Sequence, residues 1–297
     1  MWVRSMRVPS IRVIESAGEM AQVCRTAGRT LGLVPTMGAL HEGHLSLVRP
    51  ARAENKTLVV SIFVNPAQFG NPQDLAGYPR DLERDLELLK NEGADLVFTP
   101  GLSQIYPPGF DTWIDVGALG DKLEGAHRPG HFRGVATVVA NLFNTVGPDL
   151  AYFGQKDGQQ TVVIKRLVRD LDLDLEVVVC PTIRQADGLA FSSRNARLSP
   201  EQREAATVVY RALCRADELW RTGERNADVL RQQVRLVLES QPLLDEIDYV
   251  SVAASGTLIE LGNGQLAERL QDVVAGSMVS LAVIFGQVRL IDNIILE

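Results

Sequence analysis

Short apolar runs alternate with helix-forming stretches through the first 180 residues, and this alternation constrains the fold more than any other feature. It predicts an α/β domain with a Rossmann-like, mostly parallel sheet and helices on both faces. Ligands of such sheets bind beyond the carboxyl ends of the strands. The predicted strands are Leu31–Val34, Leu58–Phe63, Leu96–Phe98, Thr112–Val116, Leu150–Phe153 and Glu176–Cys180. The predicted helices are Leu45–Asn55, Asp81–Glu92, Val135–Val146 and Gln159–Asp170.

The pattern changes near Arg184, where a smaller C-terminal α+β domain is predicted. A chain of 297 residues exceeds what one compact core usually holds, so we expect two domains, at 1–183 and 184–297. Ser199 followed by Pro200 indicates a helix start, and a long helix is expected from there to about Thr222. Further predicted elements are a helix at Asn226–Ser240 and strands at Ile247–Val252, Met278–Phe285 and Val288–Leu290.

Composition and charge exclude several function classes. The net charge of −7 argues against non-specific binding to nucleic acid or membranes, so an anionic ligand would need locally gathered positive charge. Met1–Val13 lacks the apolar core of a secretory signal, and Met278–Phe285 is too short to span a bilayer. The dispersed Cys24, Cys180 and Cys214 predict small buried residues in a reducing compartment. We therefore expect a cytoplasmic protein.

The strongest functional signal is the string VPTMGALHEGH, which runs from Val34 to His44 after a predicted strand and into a predicted helix. A helix start offers free backbone N–H groups and partial positive charge to a phosphate. Gly38 and Gly43 allow a ligand to approach the backbone closely. The spacing is similar to the phosphate loop GxxxxGK[ST], but His44 stands where the lysine would be and no hydroxyl follows. The string therefore predicts a phosphate site that uses imidazoles.

His41 and His44 are three residues apart, so both can face one ligand at a helix start. As donors they would stabilise charge that builds while an α-phosphate is attacked. The alternatives are a pair of capping or core histidines and a zinc site. Zinc metalloproteases need two histidines four residues apart, and His44 comes one residue too early for that spacing. His127 and His131 could supply further ligands, but the sequence offers no cysteine or well-placed carboxylate to complete a zinc site. We favour phosphate binding.

Five segments, in order along the chain, resemble the pantothenate synthetase family of the nucleotidylyltransferase superfamily. They are Pro35–His44, Phe63–Phe69, Arg128–Gly134, Phe153–Asp157 with Gln159 and Gln160, and Asp187–Asn195. The resemblance implies ATP-dependent condensation of (R)-pantoate with β-alanine to pantothenate through a pantoyl adenylate, with release of AMP and pyrophosphate. It also implies Mg²⁺ on the ATP phosphates, a homodimer formed through the first domain, and a C-terminal lid domain that closes over ATP.

The same resemblance implies roles for particular residues. Those around the leaving pyrophosphate, expected to be catalytic, are His41, His44, Lys156 and Arg194. The implied ATP ligands are Met37, Gly38, Ala39, Leu40, His41, Glu42, Gly43, His44, Gly154, Gln155, Lys156, Asp157, Ile183, Phe191, Ser192, Ser193 and Arg194. The implied ligands of pantoate and β-alanine are Asn65, Gln68 and Gln160, and Asp85 is a weaker candidate for placing magnesium.

Several of these residues have a second interpretation from the sequence alone. Asn65 and Gln68 also suit a loop-stabilising role, Ser192–Asn195 a solvated turn, and Asp85 a solvated helix face. His127 and His131 are assigned either a structural role or a place near pantoate. The family pattern is broken at Gly158, Phe191 and Gln155, where tyrosine, methionine and glutamate are common.

Pro50, inside the helix that begins near Gly43, predicts a kink or an end, because an interior proline costs about 3 kcal/mol. Two other functions remain open at this point. One is a nucleotidyl transferase acting on a phosphorylated acceptor, and the other is a non-catalytic ATP-binding regulator.

Overall fold

The computed structural model describes residues 11–28, 30–70, 72–262 and 276–297. Residues 1–10, which hold most of the N-terminal stretch assessed for a targeting signal, lie outside these ranges. The chain divides into two compact units. The first comprises the chain up to Asp115 with Arg133–Phe153 and Leu167–Cys180, and the second comprises Val116–Phe132, Gly154–Arg166 and the chain from Pro181 onward. The single domain boundary predicted after residue 183 stays a prediction.

The first unit is built on a six-stranded sheet, which confirms the predicted α/β class. The strands are β1 (Arg12–Ile14), β2 (Leu31–Thr36), β3 (Thr57–Ile62), β4 (Leu96–Phe98), β5 (Leu150–Gly154) and β6 (Glu176–Cys180). Their order in the sheet is β1-β4-β3-β2-β5-β6, and the pairs β1–β4, β4–β3, β3–β2 and β2–β5 are parallel. Nearly every residue of β2, β3 and β4 is buried, as expected of strands covered on both faces. Among these strands, β1 alone is absent from the sequence prediction.

The order of the strands reverses at β2. From there the chain adds β3 and β4 on one side and then returns to add β5 and β6 on the other. Because parallel crossovers are right-handed, this reversal sends the connecting helices to opposite faces of the sheet. Open α/β sheets bind their ligands at such a switch point, beyond the carboxyl ends of the two central strands. The segment after β2, where the two histidines lie, therefore begins at the position where a ligand is expected.

The helices largely follow the predicted pattern. They are α1 (Ala17–Thr26), α2 (Glu42–Glu54), α3 (Pro72–Ala76), α4 (Leu82–Asn91), α5 (Leu102–Ile105), α6 (Glu124–His127), α7 (His131–Val146), α8 (Gly158–Asp170), α9 (Pro200–Ala205), α10 (Val208–Arg221) and α11 (Ala227–Glu239). Helix α2 does not end at Pro50 but continues to Glu54. Helix α1, with Ser16 as its N-cap, is absent from the sequence prediction. In the described ranges no helix has the length and apolar character needed to cross a bilayer.

The strand predicted at Thr112–Val116 is wrong, because this stretch has irregular backbone. Its largest apolar residue packs against an aromatic side chain, since the Trp113 ring stacks on Tyr106 with centroids 5.7 Å apart. The Ile114 N–H donates to the Thr137 hydroxyl at 3.0 Å, so a side chain takes the place of a neighbouring strand.

The second unit contains a three-stranded antiparallel sheet in the order β7-β8-β9. Its strands are β7 (Glu246–Ala254), β8 (Ser277–Phe285) and β9 (Val288–Leu296). Helices α10 and α11 contribute their apolar faces to the same core as these strands. The prediction for β9 stops too early, at Leu290, because Asp292 and Asn293 interrupt the apolar pattern.

The long helix predicted from Ser199 to Thr222 is wrong in one respect, since it is broken at Ala206–Thr207. The Thr207 hydroxyl donates to the Glu204 carbonyl at 2.8 Å, a local bond that competes with helix continuation. The expectation that all three cysteines are buried fails for Cys214, which is exposed. Its neighbours Ala212 and Leu213 are buried on the apolar side of α10, and position 214 falls outside that side.

Candidate active site

The segment Met37–His44, called the histidine loop below, turns sharply as it leaves β2. Gly38 and Ala39 both have left-handed backbone, with φ of 79° and 51°. A Cβ atom at Gly38 would lie 3.0 Å from an Asp85 oxygen and 3.1 Å from Ile62, so this position also lacks room for a side chain. The glycine is therefore required by conformation and by close packing together.

Asp85 supports the histidine loop from inside the first unit. One carboxylate oxygen accepts the Leu40 N–H at 2.7 Å and the other accepts the Ala39 N–H at 2.9 Å. The side chain is only 1% exposed, so the solvated helix face proposed for it is wrong. Burial raises the pKa of Asp85, and the two amide bonds oppose this shift by stabilising the charged form. Because the Ala39 and Leu40 amides both donate to Asp85, they hold the loop in place and are not available to a ligand.

The two histidines are coupled at the start of α2, for which His41 is the N-cap. The His44 N–H donates to the His41 carbonyl at 2.7 Å, and the His41 N–H donates to His44 Nδ1 at 3.4 Å. Their ring centroids are 4.2 Å apart, and both residues are half-buried. Because Nδ1 of His44 accepts a hydrogen bond, the neutral imidazole carries its proton on Nε2. His44 is thus set as a donor at Nε2.

Glu42 and Gly43, between the histidines, are the first two residues of α2. The Glu42 carboxylate is paired with Arg49 at 2.6 Å, and the Gly43 carbonyl accepts from the Ser46 hydroxyl at 2.9 Å. The first amides of a helix have no intrahelical acceptor. These two residues therefore suit a phosphate through their backbone N–H groups rather than through a side chain.

The predicted pantoate ligand Asn65 uses its whole amide within the first unit. Its oxygen accepts from the Tyr106 hydroxyl at 2.8 Å and from the Ala67 N–H at 3.2 Å. Its nitrogen donates to the Gly134 carbonyl and to the side-chain oxygen of Gln68, each at 3.1 Å. Gln68 therefore has a fixed amide orientation, and its own nitrogen contacts the Met37 sulfur at 3.1 Å. Asn65 is 1% exposed, which suits a residue that orients Gln68.

Two neighbouring glutamines in the second unit have opposite surroundings. Gln159 is buried, accepts from the Glu124 N–H at 3.0 Å and donates to the Lys122 carbonyl at 2.7 Å. The half-buried Gln160 amide makes no hydrogen bond with any residue in the described ranges. Gln159 therefore holds the preceding segment in place, and Gln160 has the surroundings of a ligand-binding residue.

The second unit also holds the predicted phosphate-binding lysine. Gly154 ends β5 and leads into a 3₁₀ turn, Gln155–Asp157, called the lysine turn below. Lys156 lies 3.4 Å from the Asp157 carboxylate and lines a cavity together with Ser192 and Arg194. The structure thus brings three of the predicted ATP ligands to one cavity.

Ile183 and Phe191 are the ends of a short hairpin that leads to Ser192. The Phe191 N–H donates to the Ile183 carbonyl at 3.2 Å, and the Ile183 side chain is exposed. Ser192 caps the 3₁₀ helix Ser193–Arg197 by accepting the Arg194 N–H at 3.2 Å. Within the described part of the chain, the Arg194 guanidinium makes no hydrogen bond or ion pair. It is available to an anionic ligand.

A family model matches residues 10–295, and its description is Pantoate-beta-alanine ligase. The chain belongs to this family. A pantothenate synthetase of Roseiflexus castenholzii is 54% identical, with 97% of this chain and 100% of the relative covered. The crystal structure of pantothenate synthetase from Thermus thermophilus has a TM-score of 0.87 and 46% identity, covering 95% of this chain and 98% of that chain.

A third comparison concerns the pantoate-beta-alanine ligase of Francisella tularensis, whose crystal structure is a complex with beta-gamma ATP and beta-alanine. It is 34% identical with a TM-score of 0.75, and 96% of this chain and 97% of that chain are covered. The family expected from the sequence, and with it the ligase class, is therefore confirmed. The individual ligand assignments within this ligase remain predictions.

Sequence reasoning missed Arg289, which lines the same cavity as Lys156 and Arg194, and the charged residues around it. Glu124 accepts two bonds from Arg289 at 2.7 Å, and Arg289 also binds Asp248. The pKa of the Glu124 carboxyl lies below its usual value. Burial alone would raise this pKa, but the hydrogen bonds and positive charge of Arg289 outweigh the effect of burial. Burial, with the nearby positive charge of Arg194, lowers the pKa of Arg128 to about 10, so Arg128 stays charged at neutral pH. These residues are far apart along the chain, and only Arg128 lies in a recognised segment.

The sequence leaves the roles of His127 and His131 undecided, and both residues contact other side chains of the second unit. The His127 ring lies 5.7 Å from that of Tyr249 and its Nδ1 3.8 Å from Asp248. His131 is buried, with Nε2 3.4 Å from Arg128. Their roles stay predictions. No group of three or more His, Cys, Asp or Glu side chains in the described ranges is arranged to hold a metal ion.

Proposed function

We propose that this ligase condenses (R)-pantoate with β-alanine, using ATP, to give pantothenate, AMP and pyrophosphate. The observation that carries the proposal is the family match over residues 10–295 of 297, which includes the histidine loop with its coupled imidazoles. The beta-gamma ATP and beta-alanine named for the Francisella relative support the same two substrates here. The set of charged groups that the reaction needs, His41, His44, Lys156 and Arg194, is complete in this chain.

In the first step, an oxygen of the pantoate carboxylate attacks the α-phosphorus of ATP. The bond from that phosphorus to the bridging oxygen of pyrophosphate breaks, and pantoyl adenylate forms. His44 donates from Nε2 to the phosphate oxygens on which charge develops, and the free amides at the start of α2 add to this stabilisation. Lys156 and Arg194 neutralise the leaving pyrophosphate. Gln68 and Gln160 orient pantoate through its carboxylate and hydroxyl groups.

In the second step, the amine nitrogen of β-alanine attacks the acyl carbon of the adenylate. The carbon–oxygen bond to AMP breaks, the amide forms, and the amine loses a proton. The protein needs no nucleophile of its own, since it accelerates both steps by positioning and charge stabilisation. Buried Cys24 and Cys180 agree with this, because burial raises the pKa of both thiols and keeps them unreactive.

Magnesium would bind through the ATP phosphates, which is the usual arrangement for this ion and needs few carboxylate ligands. Asp157, beside Lys156, is the candidate from this chain, since both oxygens of Asp85 are engaged by loop amides. Bound magnesium would supply neutralisation of the phosphate charge. We further propose that the enzyme is a cytoplasmic homodimer. Light scattering on the purified protein would test the dimer through its molar mass.

Pantoate-dependent exchange of labelled pyrophosphate into ATP, with β-alanine omitted, tests the function. The proposed reaction requires exchange, because adenylate formation is reversible before the amine is added. A nucleotidyl transferase for a phosphorylated acceptor or an ATP-binding regulator would show none with pantoate. Absence of exchange in the wild-type protein would therefore overturn the proposal.

A further inference from the structure

Asn293, near the end of β9, is bonded to the lysine turn 138 positions earlier in the chain. Its side-chain nitrogen donates to the carbonyls of Gln155 and Lys156, each at 2.9 Å. Its side-chain oxygen accepts from the Gln155 amide at 2.7 Å. One buried amide, 4% exposed, therefore makes three hydrogen bonds to two consecutive residues of the turn.

The lysine turn needs such support because a single 3₁₀ turn has few internal hydrogen bonds of good geometry. The packing around it is also close. A Cβ atom at Gly158, the first residue of α8, would lie 2.8 Å from the Met278 sulfur and 3.0 Å from the Asn293 side chain. This accounts for glycine at a position where tyrosine is common in the family. The backbone of Lys156 is consequently fixed by β9.

The preceding residue of β9, Asp292, holds the hairpin that leads to Ser192 and Arg194. Asp292 is 2% exposed, and its carboxylate accepts hydrogen bonds from the two terminal nitrogens of the Arg184 guanidinium, at 2.5 and 3.1 Å. Arg184 in turn donates to the Gly188 carbonyl at 3.2 Å and pairs with Ala190 across the hairpin. Two adjacent residues of β9 thus hold the two segments that carry Lys156 and Arg194.

We propose that Asn293 is a positioning residue for ATP, which together with Asp292 sets the separation of Lys156 and Arg194. This inference rests on the proposed function, because it assigns Lys156 and Arg194 to the phosphates of ATP. Asn293 reaches the nucleotide only through Lys156. Its loss therefore weakens ATP binding and adenylate formation and leaves pantoate binding unchanged.

The test compares Asn293→Asp with the wild type in pyrophosphate exchange. Magnesium is present throughout, and the concentrations of ATP and of pantoate are varied in turn. Aspartate has the same shape, but it cannot donate to the two carbonyls and brings negative charge against them. We expect the KM for ATP to rise about tenfold, the effect of one or two lost hydrogen bonds, and the KM for pantoate to change less than about twofold. Asn226→Asp is the matched control, since Asn226 is a helix N-cap and aspartate caps equally well.

Gln155→Ala is the second variant. The Gln155 side-chain nitrogen donates to Asn293, so here Gln155 supports the turn through its side chain, and the substitution removes one of the three bonds without changing Asn293. It keeps the test decisive if Asn293→Asp does not fold, and it is expected to raise the KM for ATP about threefold. Unchanged KM for ATP, or equal rises for ATP and pantoate, overturns the positioning role. Calorimetric titration with magnesium and ATP measures the same ATP affinity without turnover. A wild type that binds ATP but shows no exchange would refute the proposed function, while the variant-to-wild-type ratio of ATP affinities still decides the positioning role.

Discussion

The histidine loop and the lysine turn, both proposed to bind phosphate, are supported in different ways. The loop is held by a buried carboxylate, Asp85, which lies 45 and 46 positions from the two amides that it accepts. The turn is held by a neutral amide, Asn293, from a strand 138 positions away. A carboxylate bonded to backbone amides fixes a loop strongly, whereas an amide adjusts a turn without adding charge beside Lys156. The comparison teaches that a phosphate-binding segment can be held either by a buried carboxylate or by a buried neutral amide, because both satisfy backbone groups that would otherwise lack partners.

The largest expected effect concerns the chemistry of the histidine loop. His44→Ala should lose about 3–4 kcal/mol of transition-state stabilisation, because it removes the donor at Nε2. His44→Asn is the matched variant, since it keeps an acceptor for the His41 N–H but lacks that donor. Both variants should lose kcat alike in steady-state assays, with melting temperatures near that of the wild type. Full turnover in either would show that the His44 side chain does not take part in the reaction.

The next effect concerns the support of the same loop. Asp85→Ala should lower the free energy of unfolding by about 3 kcal/mol, because two amides near the core lose their acceptor. Urea denaturation measures the change. Glu87→Ala, at an exposed position of the same helix α4, should change stability by less than about 0.5 kcal/mol. Equal stability of the two variants would show that the Asp85 carboxylate does not support the histidine loop.

A smaller effect should separate the two glutamines of the second unit. Gln160→Ala should raise the KM for pantoate about tenfold to a hundredfold with little change in melting temperature. Gln159→Ala should instead lower the melting temperature, because the Lys122 carbonyl and the Glu124 N–H lose their partner. The two substitutions are chemically identical and one residue apart, so a reversed result would exchange their assigned roles.

The smallest effect is expected from Tyr106→Phe, which removes one bond to Asn65 and leaves the other three. The KM for pantoate should rise about threefold to fivefold, near 1 kcal/mol, as Gln68 is held less firmly. Burial raises the pKa of Tyr106 to about 12, so its hydroxyl keeps the proton that it donates throughout the working range. The ratio of variant to wild-type KM should therefore be the same at about pH 7 and about pH 9.5. A ratio that falls toward one at the higher pH would mean that the hydroxyl ionises within this range.

The parallel sheet and the histidine loop could be predicted well from the sequence, because both depend on local patterns. Buried parallel strands are continuous apolar runs, and the loop has its glycines and histidines within eight residues. The sequence favours a solvated face for Asp85 because its neighbours Arg84 and Glu87 are charged, and both are exposed in the structure. Only its position under the loop explains its burial, and no periodicity encodes that position.

The supports of the lysine turn could not be predicted for a related reason. Asn293 lies in a stretch where Asp292 interrupts the apolar alternation, so the sequence predicts that the strand ends at Leu290. In the structure both residues are buried because their polar groups are satisfied by Arg184 and by the lysine turn. Buried polar residues with distant partners look like loop residues in a sequence. The converse holds at Thr112–Val116, where an apolar stretch predicts a strand but packs through aromatic contacts instead.

The link from Asn293 to Gln155 has a consequence for how the enzyme matures during synthesis. A ribosome adds about 5–20 residues per second, so it needs on the order of ten seconds to travel from Gln155 to Asn293. During that interval the lysine turn has been made but its anchoring amide has not. A nascent chain can therefore complete its parallel sheet well before it acquires full affinity for nucleotide.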